Sequence, residues 1–223
     1  MMKRKLVLFG DSAFAEIAFE YFTHDSAYEV VAFTVNKEYL KKDRLFDLPV
    51  VPFEEIDSLF PPSQHAMHIA LIYNQLNRVR KRIYSEAKQK GYELANYVSS
   101  RSFVWHNVTM GDNVFIFEDN TVQPFVKLGS NIVLWSGNHI GHHSTIDSHN
   151  FISSHVVVSG FCQIGESCFL GVNSTIGNNV DVGKDSFLGA GTLITKSIPE
   201  GSFLKGVFSE IDKKSTYTKL NIK

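Results

Sequence analysis

The chain has 223 residues, of which 43% are hydrophobic and 20% charged, with a formal net charge of −1. That length suits one large or two small domains, and the near-zero charge argues against a nucleic-acid partner. No apolar run is long enough to span a membrane. The basic start is followed only by the short apolar stretch 6–9 without a cleavage-site pattern, so it does not read as a secretion signal. The two cysteines, Cys162 and Cys168, fall at small inward positions of a repeat described below and read as buried free thiols. These features predict a cytoplasmic protein.

Residues 5–10 (KLVLFG) form an apolar run ending in Gly10, the pattern of a buried first strand. Asp11 and Ser12 stand at the capping position of a helix over 13–22, with Phe14, Ile17, Ala18, Tyr21 and Phe22 on one face. A second strand follows at 28–35, a third at 48–51, a short helix at 53–59 and a further buried strand at 68–73. Residues 75–91 are amphipathic, with Val79, Ile83 and Ala87 inward. Arg78, Arg80, Lys81, Arg82, Lys88 and Lys90 are expected largely outward, and Gly91 ends the helix. A last strand at 93–98 leads out of the domain. Strands alternating with helices predict a parallel sheet, and hence a Rossmann-like α/β domain over 1–100. Ligands of such sheets bind beyond the C-terminal strand ends, which selects the loop 10–14 and the turn at Tyr73 and Asn74.

From Val104 onward the chain changes period. Val104, Met110, Ile116, Val122 and every sixth residue to Ile194 are aliphatic, sixteen in succession, and eight are followed directly by Gly. Neither a helix nor a single strand has this period, whereas hexapeptide repeats belong to β-helices. The aliphatic residue points into a prism of three short-stranded faces, and Gly after it eases a turn. The fifth position is inward and small, as at Val126, Ser144, Cys162, Ser174 and Thr192, or Asn, as at Asn120, Asn138 and Asn150. Asn120 and Asn138, one coil apart, are expected to stack as an amide ladder. At strand spacings of about 4.8 Å, five coils make a prism roughly 25 Å tall.

This pattern resembles the left-handed β-helix hexapeptide-repeat acyltransferases. With a Rossmann-like domain ahead of it, the chain over about residues 5–206 looks like the bacterial sugar acetyltransferases of the sialic-acid O-acetyltransferase and bacillosamine-pathway N-acetyltransferase type. The resemblance implies an α/β domain followed by a left-handed parallel β-helix over 101–200 and a tail over 201–223, rich in Lys and Thr and loosely ordered. It implies acetyl-CoA as cosubstrate without a metal, and an amino-sugar acceptor, nucleotide-linked as in 4-amino-4,6-dideoxy sugars. It also implies a homotrimer with active sites between subunits. Trp105, Phe117 and Trp135, apolar and outward, suit such an interface or cover from the N-terminal domain.

Residue roles follow from the same resemblance. His142, third in its hexad, matches the general base, and Gly160, one coil above, matches the backbone donor to the oxyanion. His139 and His155 are the other candidates for the base. His143 stands where the family places the acid that orients the base; Asp147 and Glu118 are the nearby acids. Gly160, Val172 and Ala190 match the backbone contacts to acetyl-CoA, and Phe151 replaces a histidine that touches it. Gly10, Ser12, Ala13, Phe14, Thr34 and Tyr73 occupy the acceptor-binding positions, although the loop Gly10-Asp11-Ser12-Ala13-Phe14 lacks the family's second Gly and its His. A sugar or sialic-acid O-acetyltransferase and a non-catalytic binding protein are the alternatives. A zinc-dependent prism hydratase of the γ-carbonic anhydrase kind requires a histidine spacing that this sequence does not reproduce.

Overall fold

The computed structural model describes residues 3–213, 215–220 and 222. Met1, Met2, Lys214, Asn221 and Lys223, on which part of the leader and tail readings fall, lie outside the described residues. The N-terminal domain is built on β1 (Arg4–Phe9), β2 (Tyr28–Val35), β3 (Arg44–Leu45), β4 (Leu48–Pro52) and β5 (Ala66–Ile69), in the order β3-β4-β2-β1-β5. All pairs are parallel except the β3–β4 hairpin. Helix α1 (Ala13–His24) buries Phe14, Ala15, Ala18 and Phe22, the face that the 3.6-residue spacing selects. A second helix, α2 (Ile56–Leu59), is one turn long. The apolar run 68–73 is strand only to Ile69, and the expected strand over 93–98 divides into a bridge from Leu94 to Met67 and the first prism strand, Tyr97–Val98. The hairpin strand β3 has too little apolar content to be read from sequence.

From Tyr97 the chain winds into the prism. Its strands are two residues long and pair in parallel with the strand eighteen residues on, as in Thr121 with His139 and Val122 with Ile140, except in the last pair, where Phe187 meets Phe203. Three faces result. A seven-stranded docking face runs from Tyr97–Val98 to Phe203–Leu204, a six-stranded open face from Phe103–Val104 to Leu193–Ile194, and a five-stranded polar face from Thr109–Met110 to Asp181–Val182. The aliphatic sixth residues and the small fifth residues together fill the interior, Cys162 and Cys168 among them as buried free thiols.

Two details of the repeat differ from expectation. Glycine after the aliphatic residue does not relieve a turn. A Cβ on Gly141 would lie 2.5 Å from the carbonyl carbon of Ser159, and one on Gly183 would lie 2.3 Å from Glu200 N. The constraint is the close approach of the next coil. The left-handed conformation falls two residues later, at Asn113, Asp119, Asn131, Asn173 and Asn179 among others, mostly residue types that tolerate it. Nor do Asn120 and Asn138 bond to each other; each donates to the carbonyl of Trp135. The true side-chain ladder is at the corner between polar and docking faces, where Asn113 Nδ2 donates to Asn131 Oδ1 at 2.8 Å and Asn131 Nδ2 meets His149 Nδ1 at 2.8 Å.

The two domains share an aromatic core. Phe14 packs against Phe115 at 5.6 Å and Trp135 at 5.5 Å, and Tyr73 lies on Phe151 at 5.0 Å and Phe169 at 4.4 Å. Of the three outward aromatics, Phe117 and Trp135 are therefore covered by the N-terminal domain, and Trp105 stays exposed on the open face.

Helix α3 (Arg78–Gln89) lies along the ladder corner. Its basic residues do not face solvent as a set: Arg78 bonds Asp185 at 2.6 Å, Lys81 bonds Glu166, and Lys88 bonds Asp112 at 2.6 Å. Arg80, expected outward, is fully buried. It donates to the carbonyls of Asn131 at 2.7 Å and Asn150 at 2.9 Å, and to Asn77 Oδ1 at 2.8 Å. Burial pushes its guanidinium down to about 9, which leaves it charged at neutral pH. The amphipathic pattern could not anticipate this, because the partners are backbone carbonyls of the other domain.

Burial holds His68 and His149 down to about 4 from an ordinary 6.5. His149 also faces Lys81, Arg80 and Arg78, which lower it further, while Glu166 raises it. Both imidazoles stay neutral in the folded state, whereas the unfolded chain takes up protons below about 6.5. Stability is therefore complete above that pH and is lost as pH falls toward about 4, by on the order of a few kcal/mol per histidine. Urea denaturation at pH 7 and pH 4.5 checks this. His149→Asn is expected to shrink the loss, and an unchanged pH slope in that variant would count against it.

Candidate active site

His142 sits on the corner where the open face turns into the polar face, directly after the strand His139–Ile140. It is exposed. Its backbone N–H donates to Gln123 Oε1 at 2.9 Å, which pins the corner from the coil below. Above it lies Gly160, where a Cβ would fall 2.8 Å from His142 Cε1 and 2.9 Å from Nε2. Glycine at this position therefore leaves the room that the imidazole occupies. The Gly160 N–H is not free: it donates to Asn178 Oδ1 at 3.0 Å.

His143 is the direct partner of His142, with the two Nδ1 atoms 3.1 Å apart. Its ring is stacked on Phe125 at 4.6 Å and on Phe161 at 4.9 Å. Neither suggested acid reaches this corner. Glu118 is engaged elsewhere, accepting from Tyr21 Oη and Ser136 Oγ at 2.6 Å each, and no Asp147 side-chain bond to either histidine is seen. Phe125, Phe161, Gln123 and Asn178 were not selected from sequence. Phe125 and Phe161 stand eighteen residues to either side of His143, and Asn178 eighteen after Gly160, so the repeat places them in those two columns; Gln123, nineteen residues before His142, carries no such mark.

Val172 and Ala190 are exposed on a different corner, where the docking face turns into the open face. Within one chain they and His142 flank the open face from opposite edges. His139 points out of that face, and His155 stands on the far corner against Gly137. Phe151 is buried under Tyr73 and Trp135, with no polar role.

A cavity of about 850 Å³ opens at the C-terminal ends of β1 and β2, lined by Gly10, Ser12, Asn36, Lys41, Asn74 and Arg82 among others. Gly10 has φ 126° and its Cβ would meet the Ala70 carbonyl at 2.8 Å, so the turn into α1 admits only glycine. Of the acceptor-binding candidates, Gly10 and Ser12 line this cavity. Thr34 does not: it is buried, and its hydroxyl donates to the Val51 carbonyl at 2.9 Å. Phe14 belongs to the interdomain core, Ala13 is exposed at the start of α1, and Tyr73 sits on the docking face beside the cavity. Among the described residues no group of three or more His, Cys, Asp or Glu is placed to hold a metal ion, and no helix is long and apolar enough to cross a membrane.

Comparison with known proteins agrees with this architecture. Residues 161–196 match the model for the bacterial transferase hexapeptide, six repeats. No curated protein matches the sequence itself. Among solved structures, the acetyltransferase domain of PglB from Neisseria gonorrhoeae FA1090 superposes with a TM-score of 0.81 at 22% identity, over 90% of this chain and 96% of that one. A mutant of perosamine N-acetyltransferase from Caulobacter crescentus, in complex with CoA and GDP-perosamine, gives 0.81 at 19% identity, over 94% and 97%. WeeI from Acinetobacter baumannii AYE gives 0.63 at 20% identity, over 90% and 96%. The protein thus has the two-domain fold of these structures, an α/β domain on a left-handed β-helix. Within that class it is a hexapeptide-repeat chain with an exposed histidine pair on one prism corner.

Proposed function

We propose that this protein is an acetyl-CoA-dependent N-acetyltransferase acting on an amino sugar, nucleotide-linked and of the 4-amino-4,6-dideoxy type. The observation that carries this is His142, exposed on a prism corner with Gly160 directly above its Nε2. Likeness of fold supports it: the PglB domain is also known in complex with acetyl coenzyme A, and the perosamine enzyme with CoA and GDP-perosamine.

In the proposed reaction His142 Nε2 takes a proton from the sugar amine as the nitrogen attacks the thioester carbon. The Gly160 N–H is the oxyanion donor, a role that requires the Asn178 carboxamide to swing away. CoA then leaves as the thiol, carrying the proton that His142 received. The pantetheine lies along the corner of Val172 and Ala190. The cavity at Gly10 and Ser12 holds the nucleotide, with Lys41 and Arg82 beside its phosphates.

A complete site needs a second chain, because the histidine corner and the Val172 corner lie at opposite edges of the open face. That face carries Phe103, Trp105, Val157 and Leu193, the last 68% exposed. We read it as the contact between copies in a homotrimer. The test is thiol release from acetyl-CoA with UDP-, dTDP- and GDP-linked 4-amino-4,6-dideoxy sugars. Turnover with one of them supports the reading. Turnover only with hydroxyl acceptors makes it an O-acetyltransferase, and tight acetyl-CoA binding without turnover makes it a binding protein.

A further inference from the structure

The left-handed corner positions of this prism are mostly Asn, Asp or Gly, yet Phe125 at φ 64° and Phe161 at φ 59° are apolar. A left-handed conformation is unfavourable for such residues. They are also 54% and 53% exposed, so burial does not repay them. What they do is clamp His143, itself left-handed at φ 60°, between two aromatic faces with interplanar angles of 29° and 17°. Strain retained beside a reactive group points to a function for it.

The bond between the histidines narrows that function. Two Nδ1 atoms 3.1 Å apart share one proton, so one ring donates and the other accepts. For His142 Nε2 to accept a proton from substrate, that nitrogen must be bare and the shared proton must sit on His142 Nδ1. His143 then accepts through Nδ1 and carries its own proton on Nε2.

We propose that His143, held between Phe125 and Phe161, is the positioning residue of His142: it selects the Nδ1–H tautomer and takes that proton when His142 is protonated at Nε2. This rests on the acetyl-transfer reading above. As the amine proton arrives at His142 Nε2, the Nδ1 proton crosses to His143 Nδ1, and the positive charge moves to a ring stacked on two phenyl faces. Cation–π attraction stabilises it there. When His142 gives its Nε2 proton to the CoA sulfur, the Nδ1 proton returns and both rings are reset, with no net exchange with water. The aromatic clamp thereby does by cation–π attraction what a carboxylate does by charge.

The test reads the rings themselves. Long-range ¹⁵N–¹H spectra of the full-length protein without substrate are recorded for the wild type, His143→Phe and His143→Glu, with His142→Asn assigning the signals. The wild type is expected to show His142 as Nδ1–H and His143 as Nε2–H. In His143→Phe, His142 should revert to the Nε2–H form that free imidazole prefers, and kcat for the accepted sugar should fall at least tenfold with KM for acetyl-CoA unchanged. His143→Glu should restore both. A wild-type His142 protonated on Nε2, or a tautomer indifferent to His143→Phe, overturns the proposal. The expected tautomers with no acetyl transfer to any acceptor would overturn the proposed function and leave the histidine pair standing.

Discussion

Replacing His142 by asparagine is expected to lower acetyl transfer by about 10²–10⁴-fold in kcat, the usual contribution of a placed general base. Asparagine keeps a polar side chain of similar reach, and the backbone N–H bond to Gln123 Oε1 survives because it does not involve the ring. The fold, the open face and the Val172 corner are untouched, so CoA binding should match the wild type in titration calorimetry. This split between lost turnover and retained binding separates a chemical role from a packing one. A variant that turns over at wild-type rate would move the base to His139 on the open face or His155 on the far corner.

Arg80→Met is expected to give the largest loss of stability. The guanidinium joins the domains through the carbonyls of Asn131 and Asn150 and the side chain of Asn77. Asn77 in turn donates to the Cys168 carbonyl at 2.9 Å and closes a run of three left-handed residues, Gln75, Leu76 and Asn77. Methionine fills much of the volume but leaves the Asn131 carbonyl and Asn77 Oδ1 without these bonds, at about 1–3 kcal/mol each, while the Asn150 carbonyl keeps the Val133 N–H. Against this stands the desolvation of a buried cation, which the variant no longer bears. The lost bonds outweigh it, leaving a net loss on the order of 2–4 kcal/mol, or a fall in melting temperature of about 10 °C at this chain length. Hydrogen exchange should quicken in residues 70–77, which hold Asn74 and Gln75 at the cavity rim. A melting temperature equal to that of the wild type would show that desolvation cancels the bonds.

Much of this protein was determined by its sequence alone. A period of six over ninety-odd residues has one low-energy reading, because only a three-faced coil brings each sixth residue inward. The parallel strands of the N-terminal sheet, though not the hairpin strand β3, and the face that α1 buries followed from local patterning in the same way. The position of His142 on an outer corner was legible because the repeat assigns every residue a side, and the base role proposed for it came from resemblance.

The tertiary structure alone decided what depends on neighbours eighteen residues or a whole domain away. Arg80 looks like one more outward cation of a basic helix, and only the docking of α3 against prism carbonyls makes it a buried tie. Thr34 and Phe14 lie near the right strand end, but the sheet and the aromatic core consume them. The glycines after the aliphatic positions answer to contact between coils, not to turn geometry. His143 breaks an expected pattern in sequence, and only the stacking of three coils places it between Phe125 and Phe161 with its Nδ1 against His142. Period and composition fix which way a side chain points; which atoms it meets is set by how the coils and domains come together.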